Sequence, residues 1–298
     1  MANPRALDKR RKSVRNIKKI TRTMELIATA RFKKAMDRAT AADDYTRRIN
    51  GVVSDLANAG LEVSHPLLDA RETVTNARQL VLSANRGLCG GYNGNVIRMA
   101  MIEREKLAAA VSGKVTVDVS GKRGISGFKF RNVETDQEFT QFDDQPLFEQ
   151  VDEIAQNYLV QYQSGEIDRL DVIYTQFVSS SRQIATVETL LPLGSLDTGD
   201  STDEKPAKTD GDSLYEFIPS AASILEEIVP TSFKVKLFKC FLDAAVSEQI
   251  SRMVAMKSAT ENANEMIRSL SRTYNRARQS QITNQIMEVI GGVEAMES

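Results

Sequence analysis

Two long stretches without glycine or proline, one near each end of the chain, constrain the fold most. Neither residue occurs from Arg5 to Asn50 or from Thr231 to Ile290. Both stretches are rich in Ala, Arg, Lys, Glu, Met and Gln, which favour helix, and nothing in them breaks a helical backbone. As a helix the second stretch would extend roughly 90 Å at 1.5 Å per residue, longer than a globular domain needs. Uninterrupted helices of this length indicate a coiled coil.

The apolar residues of both stretches recur with the spacing of a coiled coil. The steps are 3, 3, 4 and 3 residues in the first stretch and 4, 3, 4 and 3 in the second. The two series are Val14, Ile17, Ile20, Met24 and Ile27, and Ala263, Ile267, Leu270, Tyr274 and Ala277. These steps approximate a heptad repeat, which gives each helix one narrow apolar stripe for a partner helix. Because the helices lie at opposite ends of the chain, we predict that they pair in antiparallel orientation.

The middle of the chain shows short strands alternating with helices. Runs rich in β-branched and apolar residues predict strands at 78–84, 114–120, 170–178 and 184–191. Segments near 95–110 and 147–164 predict helices between the first three strands. This alternation is typical of an α/β domain with a partly parallel sheet. The last two strands are close enough in sequence to form a hairpin through a turn at Ser179–Gln183.

The net charge of −1 is the sum of oppositely charged segments. Residues 5–38 carry 13 basic and three acidic residues, whereas the predicted surface loop at 197–212 carries six acids and two lysines. The basic helix has three interpretations: a solvated face, binding to phosphate backbones, or docking on an acidic protein surface. Phe32 is the only aromatic residue within 1–44. The absence of a base-stacking platform disfavours nucleic acid as a partner.

Composition excludes several classes of protein. The chain has two Cys, one His and no Trp, which excludes a disulfide scaffold and a zinc site built from Cys and His. The sequence contains no run of about 18 apolar residues, so no membrane span is predicted. The N-terminus shows no apolar signal-peptide region. We therefore expect a reducing, cytosolic-side compartment.

One glycine-rich loop is the main candidate for a small-molecule site. Residues 85–94 follow a predicted strand and precede a predicted helix, where a phosphate could lie against a helix N-terminus. The spacing matches neither the dinucleotide fingerprint nor the P-loop, so we favour a tight turn with positive φ over a nucleotide-binding enzyme. His65 is interpreted as a surface or capping residue, Cys240 as a packing residue, and Asp143–Asp144 as a solvated turn. The residues alone therefore indicate no convincing active site.

Three sequence blocks resemble a known family. They are 17–28 (IKKITRTMELIA), 86–93 (RGLCGGYN) and 253–283, which contains MVAMKSATENA, YNRARQ and IT. Through these blocks the chain resembles the gamma subunit of F-type ATP synthases over essentially its full length. The resemblance implies a non-catalytic rotor stalk without a cofactor, whose coiled coil enters the alternating alpha/beta hexamer. It also implies an α/β domain near the epsilon subunit and the membrane ring of c subunits.

The resemblance further implies how the stalk works and which residues make contacts. Proton flow turns the stalk, and its asymmetry drives each beta subunit through its states because the stalk contacts those states differently. Met24 matches a coupling-sensitive methionine of the family. Arg278 and Gln279 match a polar catch against a beta-subunit loop, where an Arg can make bidentate bonds to carboxylates. Arg86 and Cys89 match a loop near the acidic lever motif of beta.

The resemblance also divides the chain into parts and places it in the cell. The expected parts are an N-terminal coiled-coil helix (1–60), a Rossmann-like α/β domain (75–195), an acidic loop (196–213) and a C-terminal coiled-coil helix (220–298). Asn85 stands where the family usually has an acid, and Gln285 where relatives often have one. The redox Cys pair of chloroplast relatives is absent, so thiol regulation is not expected. No transit peptide precedes the match, which implies a bacterial-type peripheral membrane protein on the cytoplasmic face of the inner membrane.

Overall fold

The fold is described from a computed structural model of the chain. The described residues are 4–58, 66–68, 71, 73–142, 145–193 and 221–297. Two compact units are present, one formed by Met1–Ala30 with Arg252–Ser298 and the other by Arg31–Ser251. Three of the sequence interpretations concern residues outside the described ranges, namely His65, Asp143–Asp144 and the acidic loop at 197–212.

Two long helices and a central α/β segment make up the described chain. In chain order the elements are α1 (Pro4–Asn58), β1 (Ala77–Leu82), α2 (Tyr92–Ala110), β2 (Val115–Ser120), α3 (Lys122–Phe130), β3 (Glu138–Phe139), α4 (Phe148–Gln163), β4 (Arg169–Ser179), β5 (Arg182–Leu191) and α5 (Ala221–Glu297). Helix α5 has 77 residues and continues through Pro230. A proline inside a helix removes one backbone hydrogen bond; Val229 and Phe233 beside it are buried.

The central sheet confirms the predicted α/β fold class. Its strand order is β3-β2-β1-β4-β5; β1 is parallel to β2 and β4, and β4 and β5 form the predicted antiparallel hairpin. Helix α3 and the two-residue strand β3 were not predicted. Helix α3 contains Gly124 and Gly127, which weaken a helical pattern, and two residues are too few to show a strand period.

The sheet is covered on both faces, as expected for parallel strands. On one face Leu80 of β1 belongs to a buried cluster with Tyr158 of α4 and Phe233 of α5. On the other face Val81 belongs to a cluster with Val96 of α2 and residues of α3. All six residues of β1 are buried. The centre of the sheet is therefore a packed core.

An ion pair fastens the residues before β1 to the residue before β4. Asp168 Oδ2 accepts hydrogen bonds from the backbone N–H groups of Thr75 at 2.8 Å and Asn76 at 2.9 Å, and Oδ1 accepts one from the Arg71 guanidinium. Burial by itself raises the pKa of Asp168. The bonds from Asn76, Thr75 and Arg71 outweigh it and hold the pKa below its ordinary value. The folded state therefore favours the carboxylate form.

Asp168→Asn is expected to lower the free energy of unfolding at neutral pH by about 1–3 kcal/mol, because the amide cannot accept all three bonds. Since the folded pKa is lowered, the carboxylate stabilises the fold above the unfolded pKa of about 3.9. That contribution is lost as the pH falls through the folded pKa. Wild type and variant should thus converge in thermal melts as the pH is lowered from 7 to below 3. A stability difference that stays constant over this range contradicts the assignment.

The unit formed by residues 1–30 and 252–298 is an antiparallel helix pair. Thr260 Oγ1 donates a hydrogen bond of 2.8 Å to Thr21 Oγ1. The Arg11 guanidinium lies 4.7 Å from the centroid of the Tyr274 ring. The contact on α5 moves toward the C-terminus as the contact on α1 moves toward the N-terminus, which confirms the predicted antiparallel pairing.

The predicted contact stripe is confirmed on α5 and wrong on α1. On α5 every residue of the stripe is buried or partly buried. On α1 only Val14 of the predicted stripe is buried, and the other four residues are exposed, namely Ile17, Ile20, Met24 and Ile27. The buried residues of this part of α1 are instead Val14, Thr21, Glu25 and Ala28. Three of these are seven residues apart, so a heptad seam exists, but small and polar side chains form it.

In the second unit, α1 and α5 pair through small side chains as well. Ala35 and Ala39 of α1 form a buried cluster with Leu242 and Val246 of α5. Lys239 Nζ lies 3.1 Å from an Asp43 carboxylate oxygen. Alanine leaves little side chain between helices, so it lets them approach closely. The first helix thus uses its small residues for intramolecular packing.

Candidate functional site

The exposed apolar residues of α1 form the first candidate surface. We call Ile17, Ile20, Met24 and Ile27 the aliphatic row; all four are exposed, Met24 with 36% of its surface accessible. Arg15, Lys19 and Arg22 are also exposed on the same helix. An apolar row beside cations suits a partner surface that combines apolar side chains with carboxylates.

The C-terminal part of α5 forms the second candidate surface. Arg278 and Gln279 are both exposed. Beyond Ser280 every described side chain of α5 is exposed. Large apolar residues recur there, namely Ile282, Ile286, Met287, Val289, Ile290, Val293 and Met296. In this chain alone the end of α5 leaves a large apolar surface in water, which marks an interaction site.

The glycine-rich loop is the third candidate surface, and it is the predicted tight turn. Leu88 has φ of 65° and Gly90 has φ of 58°. The backbone N–H of Ala84 donates to Asn93 Oδ1 at 2.9 Å, which closes the base of the loop. Arg86 is exposed, whereas Cys89 is 2% exposed. The structure therefore separates the two loop residues that match the family, with Arg86 outside and Cys89 inside.

The crevice beside this loop does not accommodate a nucleotide. It lies at the carboxyl ends of β1 and β2, where open α/β sheets bind ligands. Its volume is about 40 Å³, whereas ligand pockets commonly have about 300–1,000 Å³. Phe142 and, from α5, Phe241 and Ala244 line it, and the Tyr92 hydroxyl donates to the Ala244 carbonyl at 3.2 Å. Helix α5 thus occupies the position at which the nucleotide-binding alternative requires a ligand.

A buried ionic network within the central α/β segment serves the fold. Asp118 accepts a hydrogen bond of 2.7 Å from the Tyr158 hydroxyl and lies 3.4 Å from the Arg78 guanidinium. Burial raises the pKa of Asp118, while the Tyr158 hydrogen bond and the charge of Arg78 oppose this. Arg78 also pairs with Asp136 and donates to the Gln161 side chain at 3.2 Å. Because these groups satisfy one another, we assign the network to stability.

Within the described ranges, no group of three or more His, Cys, Asp or Glu side chains is placed to hold a metal ion. No helix of that part of the chain is long and apolar enough to cross a membrane.

Two features of these surfaces were not predicted from the sequence: the polar seam of α1 and the conformation of the exposed Leu88. The seam had a detectable signal, since Val14, Thr21 and Ala28 repeat at seven residues. The conformation of Leu88 had none.

The sequence of the chain matches one family of known proteins over nearly its whole length. A family model described as ATP synthase matches residues 3–296. The chain is 64% identical over 298 residues to the ATP synthase gamma chain of Rhodopirellula baltica, with 100% of both chains covered. It is 38% identical over 296 residues to that of Leptospira biflexa, with 99% of this chain and 100% of the relative covered.

A solved structure has a similar fold. A chain in the structure of the Euglena gracilis mitochondrial ATP synthase (OSCP/F1/c-ring, rotational state 3) matches with a TM-score of 0.65 and 17% identity. The match covers 98% of this chain and 94% of that one. At this identity the likeness concerns the fold, whereas the sequence relatives establish the family. The chain belongs to the family of ATP synthase gamma chains.

Proposed function

We propose that the protein is the central rotor stalk of an F-type ATP synthase and couples transmembrane proton flow to ATP synthesis or hydrolysis. In this proposal it turns inside the alpha/beta hexamer and is itself non-catalytic, with ATP chemistry at the beta subunits. The observation that carries the proposal is the aliphatic row: α1 packs on α5 through small and polar residues and leaves its large apolar residues exposed. A helix that folds in this way has a second partner.

Asymmetry is the property that a rotor needs. A ligand shifts an equilibrium only by as much as its interactions with the two states differ. A rod with identical faces would contact every beta subunit alike and could not set them to different states. The exposed surface of the helix pair carries the aliphatic row on α1 and polar residues such as Arg278 and Gln279 on α5, so its faces differ chemically. Each beta subunit in turn would therefore meet a different surface as the rod rotates.

The remaining parts of the chain have proposed partners as well. Helices α1 and α5, which lie within the expected segments 1–60 and 220–298, form the shaft that meets the alpha and beta subunits. The α/β domain at 75–195 meets the epsilon subunit and the membrane ring of c subunits. We place the protein on the cytoplasmic face of a bacterial inner membrane, as a peripheral subunit of a membrane-associated complex. The proposed shaft contacts are Met24, Arg278 and Gln279, and the proposed loop contact is Arg86, with Cys89 holding the loop in shape from inside.

Reconstitution tests the proposal directly. The full chain is combined with alpha and beta subunits, and the complex is then bound to membranes depleted of their own gamma chain. We expect assembly in the family's 3:3:1 ratio and restoration of proton-driven ATP synthesis. The isolated chain should show no ATP hydrolysis. A chain that assembles with neither subunit, or that leaves synthesis unrestored after assembly, overturns the proposal.

Arg278→Ala is expected to lower coupled ATP synthesis by about tenfold, because losing a charge-assisted contact of about 1.5 kcal/mol in the rate-limiting state changes the rate by that factor. Folding should be unaffected, since Arg278 is exposed. The measurement is the rate of ATP synthesis per assembled complex in reconstituted vesicles at a fixed proton gradient. Arg272→Ala, at another exposed position on α5, serves as the control for a lost charge. Equal effects of the two substitutions would contradict a specific contact at Arg278.

A further inference from the structure

The side chain of Asn85 joins three backbone segments at the carboxyl end of the sheet. Its Nδ2 donates to the Phe142 carbonyl at 2.5 Å and to the Thr140 carbonyl at 3.2 Å. Its Oδ1 accepts a bond of 3.1 Å from the backbone N–H of Lys122, the first residue of α3. An amide carries two donor hydrogens and an acceptor on one planar group, so one side chain makes all three bonds. The residues after β3 are thereby tied to the residues after β1 and to the start of α3.

The residue that Asn85 holds most closely, Phe142, packs against α5. Phe142 is buried, and its ring centroid lies 4.7 Å from that of Phe241 on α5. The ring of Phe139, in β3, lies 6.4 Å from Phe142 in an edge-to-face arrangement. Aromatic rings at these separations attract each other beyond the effect of the area they bury. Phe142 therefore connects β3 to α5, and Asn85 holds its backbone.

A second contact with α5 comes from the other end of the glycine-rich loop. The Tyr92 hydroxyl donates to the carbonyl of Ala244, three residues after Phe241 on α5. Residues three apart are neighbours on one face of a helix. The two ends of the loop thus attach to one face of α5, one through Phe142 and the other directly. Both contacts lie within the unit Arg31–Ser251, and α5 continues as a single helix to Glu297.

We propose that Asn85 is a positioning residue that holds Phe142 against α5, so that the α/β domain and this part of α5 turn as one body. This inference rests on the proposed rotor function, in which torque that enters the α/β domain has to reach the shaft. Apolar contact between Phe142 and Phe241 is not directional, so by itself it resists sliding only weakly. Hydrogen bonds are directional, and those of Asn85 fix the Phe142 backbone relative to the sheet.

The structural test uses Asn85→Asp in the full chain. The carboxylate still accepts the Lys122 bond but cannot donate to the carbonyls of Thr140 and Phe142. Since the chain contains no Trp, Phe142→Trp supplies a single fluorescent reporter at the contact. Adding Asn85→Asp should shift its emission to longer wavelength while far-UV circular dichroism stays the same. Without the reporter, Asn85→Asp should speed hydrogen exchange of the backbone amides at 138–142.

The matched control is Asn95→Asp, the same chemical exchange at an exposed position of α2. It should change neither the emission of the reporter nor the exchange rates at 138–142. Unchanged emission and exchange in Asn85→Asp, or equal changes in both variants, would show that Asn85 does not hold Phe142 and would overturn the inference.

The functional test uses the full chain reconstituted with alpha and beta subunits on membranes. Asn85→Asp should lower ATP synthesis per assembled complex at least about threefold at a fixed proton gradient, as expected for the loss of one or two hydrogen bonds. ATP hydrolysis by the soluble complex should change much less, because no load then acts on the α/β domain. In a Phe142→Leu background, Asn85→Asp should lower synthesis no further, since Asn85 acts through Phe142.

Three functional results would overturn the inference and leave the rotor proposal intact. They are unchanged synthesis in Asn85→Asp, an equal fall in synthesis and hydrolysis, and a full additional loss in the Phe142→Leu background. Failure of the wild-type chain to assemble with alpha and beta is a different result, and it overturns the rotor proposal itself.

Discussion

Met24→Lys is expected to uncouple the complex without unfolding the chain. Met24 lies in the middle of the aliphatic row and is 36% exposed, whereas the neighbouring seam consists of Thr21, Glu25 and Ala28. A lysine ammonium at this position stays in water in the free chain, so folding and the helix pair should persist. In the assembled complex the same charge would lie against the surface that receives the aliphatic row.

The size of the effect follows from burying a charge. Truncating or mispairing a buried charge at an interface costs about 2–5 kcal/mol, and a change of about 1.4 kcal/mol alters a rate tenfold. We therefore expect proton-driven ATP synthesis to fall by at least about tenfold. ATP hydrolysis by the soluble complex should fall much less, because hydrolysis alone does not require that torque reach the membrane ring.

Two controls separate coupling from assembly. Thr23→Lys places the same charge at an exposed neighbouring position outside the aliphatic row, and Met24→Leu keeps an apolar side chain at the row itself. Both should retain most of the synthesis rate. The measurement is ATP synthesis and hydrolysis at equal complex content, quantified by subunit ratio. If assembly and coupling fall together in Met24→Lys, Met24 is a structural residue of the complex.

The two helices show what heptad spacing predicts and what it does not. On α5 the apolar stripe contacts the partner helix, as Ala263 and Tyr274 illustrate. On α1 the spacing was equally good, but the residues that pack are Thr21 and Ala28, on an adjacent face. Sequence reasoning assigned the largest apolar residues to the contact within the chain. In a subunit of a complex, a helix can have one face that packs within the chain and another that contacts a different subunit. The spacing of residues in a single sequence does not distinguish these two faces.

The α/β domain was more predictable than the helix pair because its strands bury themselves within the same chain. Residues of β1 and β4 lie in the core, so their apolar pattern reports directly on the fold. The glycine-rich loop was predicted as a turn from its composition, and the turn is present. The exposure of Arg86, the burial of Cys89 and the left-handed backbone of Leu88 were not predicted. The loop also packs through the Tyr92 hydroxyl, which donates to the Ala244 carbonyl 152 residues away, and the composition of the loop does not predict a contact of that range.

Gly121→Ala is expected to abolish stable folding of the α/β domain. Gly121 joins β2 to α3 with φ of 100°, which strains any residue with a Cβ. A Cβ there would lie 2.1 Å from the Ser83 carbonyl oxygen and 2.6 Å from its carbonyl carbon. Both are backbone atoms at the end of the central strand, so they cannot move aside without disturbing the sheet.

The same place is fixed by a network of hydrogen bonds. Ser83 Oγ donates to the Ser120 carbonyl at 2.8 Å and accepts from the Gly124 N–H at 2.8 Å, while the Gly121 N–H donates to the Phe139 carbonyl at 2.9 Å. Moving the backbone to admit a methyl group would break several of these bonds at once. We therefore expect a loss of more than about 4 kcal/mol, the range reached when strain and a broken network combine.

Gly94→Ala is the matched control, with an effect of opposite sign. Gly94 lies in α2, and a Cβ there meets nothing within 4 Å. Alanine in a helix is more favourable than glycine by about 0.5–1 kcal/mol, so this variant should melt slightly higher than wild type. Denaturant unfolding followed by circular dichroism and by tyrosine fluorescence measures both variants. Equal stabilities of the two variants would show that the Ser83 backbone moves aside for a methyl group at little cost. The close approach of Gly121 to the end of β1 would then not stabilise the sheet.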